Sequence, residues 1–178
     1  DANFGILPRD IEIVKFLAEK KKQTGYPKSF SVQNTKNSTE RSYSIQKIMT
    51  ESGLNKGVVL SLQSLNKETL KNIARANIST EVFQELQHRF TRDDVQTMTD
   101  LILGLPSETH DTFVDGVSTV IENGQYNRIQ FNNLSLLPNA DMGNPEYQKK
   151  FDFDIVETEI VNIHGVLSYK GEIPETQL

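Results

Sequence analysis

The chain has 178 residues, with 19 Lys and Arg against 24 Asp and Glu and a formal charge of −5 at pH 7. That length can bury one respectable core but falls short of the roughly 250 residues of a complete eight-unit barrel, and an acidic chain without a basic stripe argues against a nucleic-acid partner. The sequence holds no cysteine, which removes disulfides, thiolate nucleophiles and any cysteine-held zinc or iron–sulfur site from this chain. No apolar run reaches the length of a membrane span and no signal-peptide pattern opens the chain, so a soluble cytoplasmic protein with no membrane partner is expected.

The chain starts at Asp1-Ala-Asn-Phe-Gly5 without Met, like a strand already under way, and stops at Pro174-Glu-Thr-Gln-Leu178 without a closing element. Both ends read as those of a piece of a longer protein. Pro8 then stands where a first helical residue would, and Ile11, Val14, Leu17 and Ala18 recur at helical spacing up to a stop at Gly25. Lys20, Lys21 and Lys22 in its last turn read as a solvated face favoured by the helix dipole. Ser29 to Gln33 alternates as a strand, delivering Gln33, Asn34 and Thr35 to its end. Ser38 or Thr39 caps a helix carrying Tyr43, Ile45, Ile48 and Met49, which Gly53 ends.

Gly57 to Gln63 is the most strand-like segment, with Ser61, Gln63, Ser64 and Asn66 gathered at its end. One helix follows with Leu70, Ile73 and Ala74 on a face, and a second starts at Ser79 with Val82, Phe83, Leu86 and Phe90. Asp100-Leu-Ile-Leu-Gly-Leu-Pro-Ser-Glu-Thr109 is a continuously apolar strand that ends at Gly104 and Pro106 and opens into a helix, with Ser107, Glu108 and Thr109 as N-terminal chemistry. Phe113, Val117, Val120 and Ile121 line that helix, Gly124 stops it, and Arg128 to Leu137 is the last strand before Pro138. Pro145 opens a short helix, and Phe151 to Ser168 suggests an extra strand or hairpin. Strands recurring at intervals of about thirty residues, one strand-helix unit each with one longer interval for the extra helix, make this an α/β chain with a parallel sheet, open or curled into a barrel.

With the strands parallel, one sheet edge collects Asp1, Asn3, Gln33, Asn34, Ser61, Gln63, Gly104, Glu108, Asn132, Asn133 and Pro138. Amides, hydroxyls and backbone N–H groups bind a polar cofactor well, yet few of these residues are strong acids or bases, so hard chemistry would come from the cofactor. Polar loops at strand ends are also common to any α/β protein. His88, His110 and His164 show no ligand spacing, and Asp115 and Glu122 fall on a predicted helix as solvating carboxylates; no metal site is expected on this chain.

Gln63-Ser-Leu-Asn66, then Leu70-x-x-Ile73-x-Arg75, then Asp100 to Thr109 together resemble the radical S-adenosylmethionine (SAM) enzymes. The opening Asp-Ala-Asn-Phe and the later Gln130-Phe-Asn-Asn-Leu-Ser-Leu-Leu-Pro138 most resemble members that carry a cobalamin-binding domain. The resemblance implies a partial (β/α) TIM-type barrel of parallel strands covering roughly the second to sixth strand-helix units, with residues 1–144 as barrel and 145–178 as its C-terminal extension. It implies that Gln63 and Arg75 meet the methionine part of S-adenosylmethionine and that Asp100 meets the ribose. Gly104 and Leu105 fall at the adenine-side strand end, and Asp1 and Asn3 at the edge facing the methionine amino group or the substrate. Gln33 stands where several relatives place a ribose-binding Glu.

In the family, a CxxxCxxC loop holds a 4Fe-4S cluster, and this chain has no cysteine for one. The resemblance therefore implies that cluster and cobalamin belong to a longer parent. There they would cleave S-adenosylmethionine to a 5′-deoxyadenosyl radical acting on a small-molecule substrate, with methyl transfer or rearrangement as the outcome. This chain alone would be inactive and would bind S-adenosylmethionine weakly or not at all. Its truncated sheet edge would be open to self-association. Two other readings stay open: a barrel enzyme binding a phosphorylated substrate at a helix N-terminus such as the one near Ser107, and a non-catalytic binding or assembly module.

Overall fold

The computed structural model describes residues 2–35, 40–159 and 170–174. In chain order the elements are β1 (Ala2–Phe4), α1 (Pro8–Thr24), β2 (Gln33–Asn34), α2 (Glu40–Glu51), β3 (Val58–Val59), α3 (Lys67–Asn72) and α4 (Thr80–Arg92). Then follow β4 (Thr97–Leu103), α5 (His110–Glu122), β5 (Arg128–Asn133), a single 3₁₀ turn at Asp141–Gly143, α6 (Pro145–Lys150), β6 (Ile155–Glu159) and β7 (Lys170–Pro174). The chain is α/β, as the strand and helix alternation predicts. β1 pairs parallel with β2, β3 parallel with β4, and a sheet ordered β3-β4-β5 places β4 in the middle. Among the described residues no helix is long and apolar enough to cross a membrane.

The chain divides into two compact units, the first of Asp1–Leu62, Ala76–Asp100 and Ser118–Gln130, the second of Gln63–Arg75, Leu101–Val117 and Phe131–Leu178. In the first, Val14 of α1 packs with Phe4, Ile45, Met49 and Leu54, and Ile11, Leu17 and Ala18 close around them, so the helical spacing of α1 and α2 is their core face. A neighbouring cluster joins Tyr43, Val58, Leu86, Phe90 and Val95, with the rings of Tyr43 and Phe90 4.9 Å apart. Burying each such side chain contributes about 1.5–3 kcal/mol.

The same unit holds a closed polar network. Gln87 Nε2 donates to Gln125 Oε1 (2.5 Å), the Thr97 and Thr99 hydroxyls donate to Gln87 Oε1 (2.7 Å) and Gln125 Oε1 (2.8 Å), and Gln125 Nε2 donates to the carbonyls of Thr97 (2.9 Å) and Arg128 (3.1 Å). These four side chains are buried, and mutual pairing removes the penalty of placing amides and hydroxyls in a core.

Several expected strands are shorter than their β-rich stretches because other groups take their backbone partners. The Phe30 N–H donates to the Leu54 carbonyl (2.7 Å), leaving Ser29–Val32 irregular and β2 confined to Gln33–Asn34. After β3 the Leu62 carbonyl accepts from the Asn77 side chain (2.8 Å), and the ladder reappears only as a bridge from Gln63 to Leu101. β5 stops at Asn133 rather than Leu137. β4 starts at Thr97, ahead of its apolar run. Lys21 is not merely solvated: its ammonium donates to the carbonyls of Lys28 (2.8 Å) and Gly53 (2.5 Å), tying α1 to the end of α2.

In the second unit Leu105, Leu134 and Leu136 form the core, with Ile73, Ile102, Met142, Phe153 and Ile155 against them. β6 and β7 pair antiparallel, so the expected hairpin forms with its second arm beyond Ser168. Residues 160–169, including His164, and the Ser38 and Thr39 cap lie outside the described residues.

Helix ends follow one rule. At α2, α3, α4, α5 and α6 a left-handed residue follows the cap, namely Gly53, Ala74, Asp94, Gly124 and Asp152. At α3, the Ala74 N–H bonds the Lys71 carbonyl (3.2 Å) and the Arg75 N–H the Leu70 carbonyl (2.9 Å). These are the two bonds of a Schellman motif, which satisfies the last helical carbonyls. The helical face predicted through Ala74 therefore ends at Asn72, and Ala74 becomes the turn that leads into Arg75.

Candidate functional site

The first unit carries Asn3, Gln33 and Asp100. Asn3 and Gln33 belong to neighbouring strands, with Ala2 opposite Gln33 and Phe4 opposite Asn34 and a register shift between. Asn3 has left-handed backbone (φ 78°), Gly5 follows at φ 107°, and the buried Asp10 carboxylate accepts the N–H groups of Gly5 (2.8 Å) and Leu7 (3.0 Å), so the start of α1 fixes the exit from β1. Gln33 is exposed. Its neighbour Asn34 accepts from Gln46, whose own carbonyl oxygen accepts from Asn55 (3.0 Å). In the same unit the Asp100 carboxylate accepts from the Ser61 hydroxyl at 3.0 Å. Asp1 lies outside the described residues.

The second unit carries Gln63, Arg75, Gly104 and Leu105. Gln63 is left-handed (φ 64°), a conformation that costs a non-glycine residue about 1–2 kcal/mol. Its carbonyl accepts the Ile102 N–H (2.8 Å), which fixes the strained residue against β4. The turn after it is tied by side chains: Ser64 Oγ accepts the Asn66 N–H (3.0 Å), and Asn66 Oδ1 caps α3 by accepting from Glu68 (2.9 Å) and Thr69 (3.0 Å). Arg75 is half-buried at the exit of the α3 cap, and burial pushes its guanidinium below the ordinary arginine range.

Gly104 is buried at φ 90°, and Leu105 is buried behind it. From Leu105 to Glu108 the chain makes a turn closed by the Glu108 N–H on the Leu105 carbonyl (3.1 Å), with Pro106 second and left-handed Ser107 (φ 65°) third, the pattern of a type II turn. Ser107 is thus a turn residue and not a helix cap; its hydroxyl accepts from Asn72 (2.9 Å). Thr109 is the cap instead, its hydroxyl accepting the Thr112 N–H (3.2 Å) while Thr112 Oγ1 accepts the Thr109 N–H (2.9 Å). The N-terminus of α5 is therefore capped reciprocally by its own threonines.

Glu108 is the residue whose state residue type alone did not reveal. Its carboxyl is half-buried with the Ser64 and Thr112 hydroxyls nearby, Oε1 accepting from Thr112 at 3.4 Å, while Oε2 is buried with no partner. Burial pushes the carboxyl above the usual glutamate range, and the two hydroxyls pull it part of the way back. Thr69 Oγ1, on α3, is likewise buried and unpartnered.

No family model matches the chain. Among curated proteins, the 2-(S-pantetheinyl)-carbapenam-3-carboxylate methyltransferase of Streptantibioticus cattleyicolor is 42% identical over 146 residues, covering 82% of this chain and 21% of that protein. A cobalamin-dependent radical SAM methyltransferase of Streptomyces tokunonensis is 40% identical over the same length, with the same coverage. The chain belongs to the radical SAM family as a fragment. This radical SAM chain spans about a fifth of the length of the curated relatives it matches. Among solved structures, the coproporphyrinogen III oxidase of Escherichia coli, described as a radical SAM enzyme, aligns over 61% of this chain and 24% of its own at 22% identity and a TM-score of 0.46.

Proposed function

We propose that this radical SAM chain forms the S-adenosylmethionine-binding part of a partial barrel in a cobalamin-dependent methyltransferase, spanning roughly the second to sixth strand-helix units. The observation that carries this reading is the 40–42% identity, over 82% of the chain, to two proteins named as methyltransferases. The local geometry supports it: Gln63 is held in a strained backbone beside β4, Arg75 is a half-buried cation suited to a carboxylate, and Gly104 offers a buried, glycine-only backbone at a strand end.

In this reading the Arg75 guanidinium receives the cofactor carboxylate, the Gln63 amide orients the methionine end, Asp100 accepts from the ribose hydroxyls while Ser61 steadies it, and Gly104 and Leu105 offer backbone to the adenine. Asp1 and Asn3 are assigned to the methionine amino group or the substrate, and Gln33 to the ribose, by the family resemblance alone. When bound, S-adenosylmethionine supplies the sulfonium methyl and the adenosyl group; these residues bind and orient it. The 4Fe-4S cluster does not fit this chain, which has no thiolate to hold it, so no step is assigned to it here. Cluster and cobalamin are proposed to be held by the remainder of the parent protein, and the chain by itself to be inactive.

The test is to express anaerobically the longer reading frame that contains this chain. It is expected to encode CxxxCxxC, to give a brown iron-containing protein, and to bind S-adenosylmethionine in equilibrium dialysis. Arg75→Ala is expected to weaken that binding at least tenfold, about the effect of losing one charge-assisted contact. A reconstituted, iron-loaded protein that does not retain S-adenosylmethionine would sink the reading.

A further inference from the structure

β1 advances two residues, from Ala2 to Phe4, while its partner advances one, from Gln33 to Asn34, so Asn3 is the inserted residue of a bulge. A bulge re-aims one side chain, and bulges gather beside functional sites. Asn3 is exposed and left-handed (φ 78°), a backbone that asparagine tolerates better than most residues but that neighbours must still enforce. The strand side enforces it through Phe4, whose carbonyl accepts the Thr35 N–H (3.0 Å) and whose buried ring meets Phe30 edge-on at 5.8 Å. Helix α1 supplies the rest. Asp10 Oδ2 accepts the N–H of Leu7 (3.0 Å), ordinary capping chemistry for an acid at the third helical position, and also that of Gly5 (2.8 Å), which lies outside the helix and which capping does not require. Asp10 is 2% exposed, whereas an acid that only caps a helix stays in water. From α2, Arg41 donates to the Ile6 carbonyl (2.5 Å), and a Cβ on Gly5 would lie 3.3 Å from Ser42 Cβ, so the same short loop is confined there too.

We propose that Asp10 is a positioning residue that, through the Gly5 N–H, holds the bulge at Asn3 and so sets the Asn3 side-chain oxygen to accept from the methionine amino group of S-adenosylmethionine. The proposal rests on the S-adenosylmethionine reading for its ligand and on the Asp10–Gly5–Asn3 backbone path for its mechanism. Position 10 needs only an acceptor in the right place. Asn offers one through its side-chain carbonyl oxygen, Ala offers none, and Glu carries it one methylene too far.

The experiment uses the iron-loaded longer protein and compares D10A, D10N, N3A and the double variant D10A/N3A with the unsubstituted protein. Amide hydrogen exchange at Gly5 to Leu7 is expected to rise about tenfold or more in D10A and to stay near the unsubstituted rate in D10N. D10A and N3A are each expected to weaken S-adenosylmethionine binding about tenfold, and D10N by less than about twofold. Because Asp10 acts through Asn3, the double variant is expected to bind within about twofold of N3A alone. Binding of 5′-methylthioadenosine, which lacks the amino group, should change by less than about twofold in every variant. Should D10A fail to fold, D10E carries the same expectations. Unchanged exchange at Gly5 to Leu7 overturns the proposal. So do losses that multiply in the double variant, a loss that D10N does not rescue, a loss shared equally by both ligands, or an N3A variant that binds S-adenosylmethionine as before. Should the unsubstituted longer protein retain no S-adenosylmethionine, the cofactor reading fails by itself, and the exchange comparison still decides whether Asp10 holds the loop.

Discussion

The two units treat buried polarity in opposite ways. In the first, Gln87, Gln125, Thr97 and Thr99 satisfy one another around the Thr97 and Arg128 carbonyls. In the second, the buried oxygens of Thr69 and Glu108 have no partner, and left-handed non-glycine residues stand at Gln63, Ala74, Ser107 and Asp152, against Asn3 and Asp94 in the first. An unpartnered buried oxygen costs about 1–3 kcal/mol and left-handed backbone at a non-glycine residue about 1–2 kcal/mol, so the units differ more in hydrogen-bond satisfaction than in backbone strain.

The largest expected effect breaks the scaffold side of this contrast. Phe90→Ala, removing a ring that is 1% exposed, should cost about 3–5 kcal/mol in urea denaturation. Gln125→Ala comes next, because it orphans the Gln87 amide and the Thr99 hydroxyl at about 1–3 kcal/mol for each buried group; a loss well under 1 kcal/mol would mean the network is not what holds the unit.

On the strained side the sign should reverse. Ala74→Gly keeps the α3 cap while removing the left-handed penalty, and should stabilise by up to about 1 kcal/mol. Thr69→Val exchanges an unpartnered buried hydroxyl for a methyl and should be neutral or mildly stabilising by the same measurement. Destabilisation by Thr69→Val would show that the hydroxyl has a partner.

The smallest effect is in acid. Asp93 is held down to about 2, from an ordinary 3.8, first by the Tyr43 hydroxyl and then by Lys47 and Arg92. A depressed carboxylate adds stability that is complete above the ordinary value and lost as pH falls from about 4 toward 2. Tyr43→Phe should therefore move the onset of acid unfolding upward, read by circular dichroism across that window. An unmoved onset would assign Asp93's low value to Lys47 and Arg92 instead.

Periodicity reported the helices well because the apolar faces of α1, α2 and α4 are core faces: Val14, Ile45, Met49, Phe83, Leu86 and Phe90 are all buried. Helix stops were legible at Gly25, Gly53 and Gly124, where glycine advertises the left-handed turn, and illegible at Ala74, Asp94 and Asp152, where hydrogen bonding forces the same backbone on other residues. Strand lengths were overestimated where a distant donor or acceptor, such as the Leu54 carbonyl or the Asn77 amide, took the ladder partner. Gln63, Arg75 and Asp100 are named by motif resemblance alone, and neither composition nor periodicity marks them. Glu108 was visible as a residue type, but the burial of its unpartnered Oε2 depends on packing between segments far apart in sequence.

The Gln87–Gln125 network also predicts how the first unit responds to salt. On the surface, Arg89 grips Glu40 with two bonds of 2.5 and 2.8 Å, but Glu40 is 79% exposed, and dissolved ions screen such a pair over a Debye length of about 8 Å at physiological ionic strength. The amides and hydroxyls of the network carry no net charge and lie beyond the reach of counterions. As salt rises, the bond between Arg89 and Glu40 fades while the network keeps its strength, so the unit's deepest polar link is also the one least sensitive to ionic conditions.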